Sequence, residues 1–282
     1  MNAAVEFLTV ARAPSPRMNA ELLIMFTLDC DRAYLYAHPE RELTAEDLAR
    51  CDEALARRAT GVPAQYITGH QEFWGLDFIV SPAVLIPRPE TEHVVEAVLE
   101  LTKTDGGGPS LHQLRIVDVG TGSGAIALAL AKELPTAEIH ATDISLAALE
   151  VARANAARLE LTSRIVFHGT DLLSGLPAAP FDIVVSNPPY VGNSEEESVQ
   201  LEVRNFEPRN AVFAGPTGME VIERMVPQAH AALAPEGWLV FEISGTIADR
   251  VRSLLLSWDA VEIRNDLQGI ARVAIARKAT SG

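Results

Sequence analysis

Cysteine and lysine are both scarce in this chain, and each scarcity excludes a class of protein. Cys30 and Cys51 are the only cysteines among 282 residues, too few for a disulfide framework or a cysteine-based zinc site. Lysine occurs only at positions 103, 132 and 278, and the formal net charge is −15. No cluster of Lys and Arg has the density that a face for binding duplex nucleic acid requires. The composition therefore argues against direct nucleic-acid binding, and we expect no metal site.

Long apolar runs are also missing. No stretch of about 18 apolar residues occurs, so we expect no membrane span, and the N-terminus lacks the basic and apolar regions of a secretory signal. The two cysteines fall in apolar helical patterns, which is typical of buried free thiols in a reducing compartment. Hydrophobic residues make up 48% of the chain, enough for a sizeable core. We expect a soluble, cytoplasmic protein, with a monomer as the default state.

Three segments of different character divide the chain. Residues 1–72 have apolar positions at helical spacing, with start signals at Pro16 and Thr44, and predict a small all-α bundle. Residues 73–87 alternate aromatic and β-branched residues around a glycine, which predicts a β-hairpin linker. Residues 88–282 begin with an extended, proline-constrained segment and a helix, followed by a flexible loop at 104–110.

From Leu114 onward the pattern alternates between strand and helix, which predicts an α/β domain with a mostly parallel sheet and helices on both faces. Seven strands are predicted, and the last two should form a hairpin. The predicted strands lie near residues 114–119, 137–142, 164–168, 181–186, 237–243, 260–264 and 270–276. The predicted helices between them lie near 124–133, 146–159, 218–233 and 246–256.

A glycine-rich turn follows the first of these strands and opens a helix. Its glycines permit positive φ and close backbone approach to a ligand, and the helix N-terminus offers free N–H groups. The turn could serve a dinucleotide or S-adenosylmethionine, and two features favour the latter. The spacing is G-x-G-x-G, not the dinucleotide G-x-G-x-x-G, and Asp118 at the strand end suits a cationic sulfonium ligand with its amino group. The predicted cofactor-binding residues of this turn are Gly120, Thr121, Gly122, Ser123 and Gly124.

Acidic residues follow the next two strands. Asp143, at the end of the second strand, can accept both hydroxyls of a ribose, although capping of the following helix is an alternative role. Asp171 and Leu172 follow the third strand, where they could accept the adenine amino group and pack on the ring. An ordinary turn aspartate is an equally good interpretation of Asp171.

The fourth strand delivers Asn187, Pro188, Pro189 and Tyr190 to the same edge of the sheet. The two prolines fix φ and remove two N–H donors, so the segment is rigid and rich in acceptors. The Asn187 side-chain oxygen and the Pro188 carbonyl could accept both hydrogens of a planar –NH2 group, with the Tyr190 ring packed beside it. We predict these four residues as the catalytic and substrate-binding set, with Asn187 also near the cofactor.

Taken together, these motifs resemble the class I S-adenosylmethionine-dependent methyltransferases, and among them the release-factor glutamine N5-methyltransferases of the PrmC/HemK family. The resemblance covers nearly the whole chain. Its most discriminating piece is Leu85-Ile86-Pro87-Arg88-Pro89-Glu90-Thr91-Glu92, which adenine-specific DNA methyltransferases do not share. Further matching stretches are Gly61-x-Pro63-x-Gln65-Tyr66-Ile67-x-Gly69, Glu72-Phe73-x-Gly75, Glu207-Pro208-Arg209 and Asp266-x-x-Gly269-x-x-Arg272. Family members often carry an aromatic residue where Leu172 stands.

The resemblance implies a Rossmann-like methyltransferase domain and an N-terminal helical domain that docks a peptide chain release factor. The methylated group would be the glutamine amide of the Gly-Gly-Gln motif, which connects the protein to translation termination. Two alternatives remain at this point. An N6-adenine methyltransferase acting on nucleic acid would use the same Asn-Pro-Pro-Tyr motif, and a degenerate, non-catalytic protein could merely dock a translation factor.

Overall fold

The computed structural model describes residues 1–104, 113–176 and 180–279. These group into two compact units. The helical unit comprises Met1–His70 and Gln200–Phe206, and the sheet unit comprises Gln71–Val199 and Glu207–Gly282. The predicted flexible loop lies, from residue 105 onward, outside the described residues. The sequence-based division had placed residues 200–206 in the methyltransferase domain, whereas the structure groups them with the helical unit.

The helical unit contains five consecutive helices around a small apolar core of residues such as Leu8, Leu23 and Leu55. Thr44 begins the fourth helix with a capping box, because its hydroxyl accepts from the Asp47 amide and the Asp47 carboxylate accepts from the Thr44 amide. The helices are α1 (Asn2–Val10), α2 (Pro16–Leu28), α3 (Arg32–Ala37), α4 (Ala45–Ala59) and α5 (Ala64–Thr68).

A β-hairpin, β1 (His70–Phe73) and β2 (Leu76–Ile79), follows the helices. It begins three residues earlier than the sequence predicts, because Gly69 adopts a φ of +77° and ends α5 there. A single 3₁₀ turn, Pro89–Thr91, then leads into α6 (Glu92–Thr104).

The sheet of the described part has seven strands, and a short pair of strands lies outside it. The seven strands are β3 (Arg115–Val119), β4 (Glu138–Asp143), β5 (Ile165–Gly169), β6 (Phe181–Ser186), β9 (Leu233–Glu242), β10 (Asp259–Asn265) and β11 (Ala271–Arg277), and the short pair is β7 (Val191–Gly192) and β8 (Phe213–Gly215). Their order in the sheet is β10-β11-β9-β6-β3-β4-β5, which confirms the predicted mostly parallel fold. Only β11 runs antiparallel to its neighbours β9 and β10, so the last two strands form the predicted hairpin.

Helices cover both faces of the sheet. The helices of the sheet unit after α6 are α7 (Ala125–Glu133), α8 (Leu146–Arg158), α10 (Arg209–Val212), α11 (Glu220–Ala232) and α12 (Ala248–Leu254), whereas α9 (Leu201–Phe206) belongs to the helical unit. One face of the sheet packs against α6 and α7, and the other against α11 and α12, in two apolar clusters of buried side chains. The sequence analysis missed α9, α10, β7 and β8, because elements of two to six residues show no usable periodicity.

Strand β9 also begins at Leu233, four residues before its predicted start. Pro235, Glu236 and Gly237 resemble a turn in sequence, yet they form an irregularity inside the strand, where Glu236 has a φ of +63° and the pairing with β6 shifts register. A bulge of this kind tolerates a proline that a regular central strand would exclude.

Candidate active site

The predicted site residues meet where the order of the strands reverses. From β3 the chain proceeds outward through β4 and β5, and then returns to the other side of β3 with β6. Val119, Thr142 and Ser186 lie level with one another at the ends of β3, β4 and β6. The glycine turn, Asp143 and Asn187 therefore leave the sheet side by side. Open α/β sheets bind their ligands at such a switch point.

The glycine turn has the backbone conformation that the sequence predicts. Gly120, Gly122 and Gly124 have φ values of +72°, +56° and +85°, in the left-handed region that favours glycine. At Gly120 and Gly122 an added Cβ would meet no heavy atom within 4 Å, so the backbone there faces open space. At Gly124 it would lie 2.9 Å from Leu128 Cδ1. The first two glycines thus leave room for a ligand, whereas Gly124 serves the packing of α7.

Asp143 fixes this turn from the neighbouring strand. Its Oδ2 accepts from the Gly122 amide at 2.9 Å, and its Oδ1 accepts from the Ser145 amide at 2.8 Å. Burial raises the pKa of the carboxyl group, while these backbone amides oppose the rise. Each oxygen keeps a second lone pair, so the same carboxylate can order the turn and still accept ligand hydroxyls.

Asp118 has a different role from the one that the sequence analysis gave it. Its carboxylate is buried, and Asp118 is not among the residues that line the cavity. Oδ2 accepts from the Thr121 hydroxyl at 2.7 Å and from the Ala127 amide at 3.2 Å, so Asp118 caps α7 from below the turn. Burial raises its pKa from 3.8 to about 7. The sequence analysis expected Asp118 to contact a cationic ligand. In the structure its carboxylate instead stabilises the first turn of α7.

A cavity of about 470 Å³ opens beside the turn, which is within the usual size of a small-molecule site. Nine predicted site residues line it: Gly120, Thr121, Gly122, Ser123, Asp143, Asp171, Leu172, Asn187 and Pro189. The remaining three, Gly124, Pro188 and Tyr190, lie outside the lining. Which of the twelve contact a ligand stays a prediction.

The lining of the cavity includes two side chains that the sequence analysis missed. Ile144 follows Asp143 directly, lines the cavity, and is 64% exposed although it is a large apolar residue. Arg224 forms an ion pair with Asp171, the residue predicted to accept the adenine amino group. Leu172 beside it has a φ of +54°, which is rare for a leucine. The position of Ile144 after an acidic strand end was the available signal for the first of these residues.

A row of hydrogen bonds that starts at the cavity lining fixes the Asn-Pro-Pro-Tyr segment. Asn187 donates through Nδ2 to Thr91 Oγ1 at 3.0 Å, and Thr91 donates to Glu242 Oε2 at 2.6 Å. The Tyr190 hydroxyl donates to Glu242 Oε1 at 2.9 Å. Burial raises the pKa of Glu242, and the two hydroxyl donors and the nearby Arg272 oppose that rise. Burial and Glu242 raise the pKa of Tyr190 well above its usual value.

Glu207 stabilises the segment that carries the Ile-Pro-Arg-Pro-Glu-Thr-Glu motif. Its carboxylate accepts from the Ile86 amide at 3.2 Å and forms an ion pair with Arg88. Arg88 and Glu90 are not among the residues that line the cavity, whereas Leu85, Pro87 and Thr91 are. Arg88 therefore braces the segment. Among the described residues no cluster of His, Cys, Asp and Glu could hold a metal ion, and no helix is long and apolar enough to span a membrane.

Two sequence profiles match the chain. The PrmC N-terminal domain matches residues 1–69, and the methyltransferase small domain matches residues 100–205. Among solved structures, the hMettl16 catalytic domain in complex with a 3′UTR hairpin is 16% identical with a TM-score of 0.58, over 81% of this chain and 84% of that one. A 16S rRNA methyltransferase of Thermus thermophilus in complex with AdoMet and guanosine is 21% identical with a TM-score of 0.54, over 74% and 49%. The fold is that of a methyltransferase.

Curated relatives extend over nearly the whole chain. The release factor glutamine methyltransferase of Koribacter versatilis is 54% identical over 281 residues, which are 99% of this chain and 98% of the relative. The proteins of the same name from Moorella thermoacetica and Rhodopirellula baltica are 43% and 37% identical, over 89% and 97% of this chain and 86% and 93% of their own. The chain belongs to the release factor glutamine methyltransferase family, as its motifs indicate.

Proposed function

We propose that this enzyme transfers a methyl group from S-adenosylmethionine to the side-chain amide nitrogen of the Gly-Gly-Gln glutamine in peptide chain release factors. The names of its relatives support the reaction. The structural observation that supports it most is the orientation of Asn187. Its side-chain nitrogen donates to Thr91, so its oxygen is the end that can accept from a substrate –NH2 group in the cavity.

The cavity suits the proposed cofactor. Two glycines face open space, the half-buried carboxylate of Asp143 on the next strand bonds to one of them, and an exposed Ile144 side chain follows it. In this proposal Asp143 accepts the ribose hydroxyls, the glycine turn approaches the methionine part, and Ile144 and Leu172 pack against the adenine. When bound, S-adenosylmethionine supplies an electrophilic methyl group on a positively charged sulfur.

The chain's own contribution to the reaction is positioning. A carboxamide nitrogen is a poor nucleophile because its lone pair is delocalised into the carbonyl group. The Asn187 side-chain oxygen and the Pro188 carbonyl accept its two hydrogens, which directs the remaining electron density towards the methyl group and favours a pyramidal nitrogen. Such acceptors also stabilise the positive charge that develops on nitrogen in the transition state. The surplus proton leaves to solvent.

The helical unit is proposed to dock the release factor, so the predicted recognition domain (residues 1–72), linker (73–87) and catalytic domain (88–282) keep their proposed roles. We also propose that the enzyme acts in the cytoplasm as a monomer. Modification of nucleic acid, the alternative that the Asn-Pro-Pro-Tyr motif leaves open, has no support from the full-length relatives, which are named for release factors.

Peptide mapping tests the proposal directly. Purified release factor is incubated with the enzyme and S-adenosylmethionine, digested, and analysed by tandem mass spectrometry. One added methyl group on the glutamine of the Gly-Gly-Gln peptide is expected. Methylation of a lysine, arginine or backbone position in its place would contradict the proposed role of Asn187.

A further inference from the structure

The row of hydrogen bonds from Asn187 through Thr91 and Glu242 to Tyr190 joins parts of the chain that are far apart in sequence. Thr91 ends the 3₁₀ turn that precedes α6, Asn187 and Tyr190 follow β6, and Glu242 ends β9. Thr91 and Glu242 are only 4% and 1% exposed. The three contacts have lengths of 3.0, 2.6 and 2.9 Å, and all lie within the normal range for hydrogen bonds. A largely buried row in which each side chain makes a hydrogen bond fixes side-chain positions well.

The chemistry of Glu242 gives this row a direction. A carboxylate can only accept hydrogen bonds, so both hydroxyls that reach it, those of Thr91 and Tyr190, must donate. The Thr91 hydroxyl has a single hydrogen, which it donates in the hydrogen bond to Glu242. The Thr91 oxygen can then only accept from Asn187, and the group on Asn187 that can donate is its –NH2. The carboxylate therefore determines, through one hydroxyl, which end of the Asn187 amide faces Thr91.

The direction matters because the two ends of an amide have opposite properties. With nitrogen towards Thr91, Asn187 offers an oxygen to a substrate that carries two N–H donors. With the amide reversed, two –NH2 groups would face each other and the substrate nitrogen would lose an acceptor. Leaving a buried donor without a partner costs about 1–3 kcal/mol.

We propose that Glu242, acting through the Thr91 hydroxyl, is the positioning residue that keeps the Asn187 oxygen directed at the reacting amide. This inference rests on the proposed function and adds to it two residues outside the Asn-Pro-Pro-Tyr motif. Glu242 is not among the residues that line the cavity, so it acts through Asn187 and not on the substrate.

Glu242→Gln and Thr91→Val test the row while they keep the size of each side chain. A glutamine can donate as well as accept, so it no longer imposes one direction, and valine removes the hydroxyl. Equal occupancy of both Asn187 orientations would halve kcat, and loss of the fixed rotamer should bring the decrease to about tenfold. The KM for S-adenosylmethionine should stay unchanged. Thr91→Ser, which retains the hydroxyl, is the matched control and should lose much less kcat than Thr91→Val.

Two further readouts separate positioning from a general structural effect. If Glu242 acts through Asn187, Glu242→Gln should have almost no additional effect on kcat in an Asn187→Ala background, because the two residues form one unit. The side-chain amide hydrogens of Asn187 should exchange with solvent more slowly in the wild type than in Thr91→Val. Their NMR signal is identified by its loss in Asn187→Ala. This NMR measurement needs no substrate.

The outcomes are distinct. Equal losses from Glu242→Gln in both backgrounds, or a change of less than twofold in kcat for both Glu242→Gln and Thr91→Val, would overturn the positioning role. Unprotected Asn187 hydrogens in the wild type would overturn it as well. A protected Asn187 amide in a protein that methylates no release factor would instead refute the proposed function and leave the orientation of Asn187 established.

Discussion

Gly218 offers a sharp test of how closely the catalytic segment is positioned. The residue has a φ of +82°, and an added Cβ would lie 2.5 Å from the Tyr190 carbonyl oxygen and 3.1 Å from the Gly192 nitrogen. Real Cβ atoms essentially never come within 3.0 Å of such atoms. In Gly218→Ala, either the backbone at Tyr190 or the loop that carries residue 218 must therefore move by at least 0.5 Å, the difference between 3.0 and 2.5 Å.

Two costs follow from this geometry. Alanine in a left-handed conformation costs about 1–2 kcal/mol, and the overlap adds about 1–3 kcal/mol. Tyr190 is three residues from Asn187, and a misplacement of about 1 Å can reduce turnover by about 10²-fold. A shift of half that size should therefore lower kcat by about tenfold.

Gly269→Ala is the matched control. Gly269 has a φ of +79°, yet an added Cβ there would meet nothing within 4 Å, so this variant has the backbone cost without the overlap. Unfolding in urea should show Gly218→Ala as the less stable of the two, and a methyl-transfer assay should show a lowered kcat only for Gly218→Ala. Equal stability and equal kcat in both variants would refute the argument from close packing.

Three further predictions concern the site and the helical unit. Asn187→Ala should lower kcat by about 10²-fold in the methyl-transfer assay, with little effect on cofactor affinity measured by calorimetry. Because the pKa of Asp118 rises from 3.8 to about 7 on folding, the free energy of unfolding of the ligand-free protein should fall by up to about 4 kcal/mol between pH 4 and pH 7. In urea unfolding, Asp118→Asn should reduce this dependence of stability on pH. Arg58→Met should destabilise the helical unit by about 3 kcal/mol, measured by denaturant unfolding, because the buried Arg58 bonds to Asn19 and Glu202.

Each of these has a control or a contradicting result. Near-normal turnover of Asn187→Ala would contradict the proposed mechanism. Stability should fall as the pH rises because the folded protein keeps a proton on Asp118 that the unfolded chain releases above about pH 4. Asp143, whose pKa is also raised, contributes in the same direction. Only the difference between Asp118→Asn and the wild type is therefore diagnostic. Arg57→Met changes an exposed neighbour and should alter stability by less than about 0.5 kcal/mol; an equal loss from Arg57→Met would contradict a specific role for Arg58.

The part of the site that lies along one stretch of chain could be predicted from sequence. Strand β6 has the bounds that its apolar run predicts, and the glycine turn has the predicted positive φ values. The order of strands then places Asn187 beside the turn, because parallel strands end at one edge of the sheet. These features depend on local conformation and on topology, both of which leave a pattern in the sequence.

Contacts between distant residues left no such pattern. Glu242 ends a run of apolar residues in β9, and its partner Thr91 is 151 positions away, so neither periodicity nor spacing indicated the pair. Asp118 appeared to be a ligand contact because its residue type suits the cofactor, yet its side chain points at the helix N-terminus. The grouping of α9 with the helical unit depends equally on tertiary contacts, among them that between Glu202 and the buried Arg58.

A label-transfer experiment with alternative substrates tests directly whether the enzyme methylates the glutamine of release factors. Tritiated S-adenosylmethionine and the enzyme are offered purified release factor, its Gln→Ala variant at the Gly-Gly-Gln motif, and bulk DNA and RNA in separate reactions. Label is expected on the wild-type release factor alone. Label on nucleic acid, or equal label on the Gln→Ala variant, would contradict glutamine methylation and assign Asn187 to another amino group.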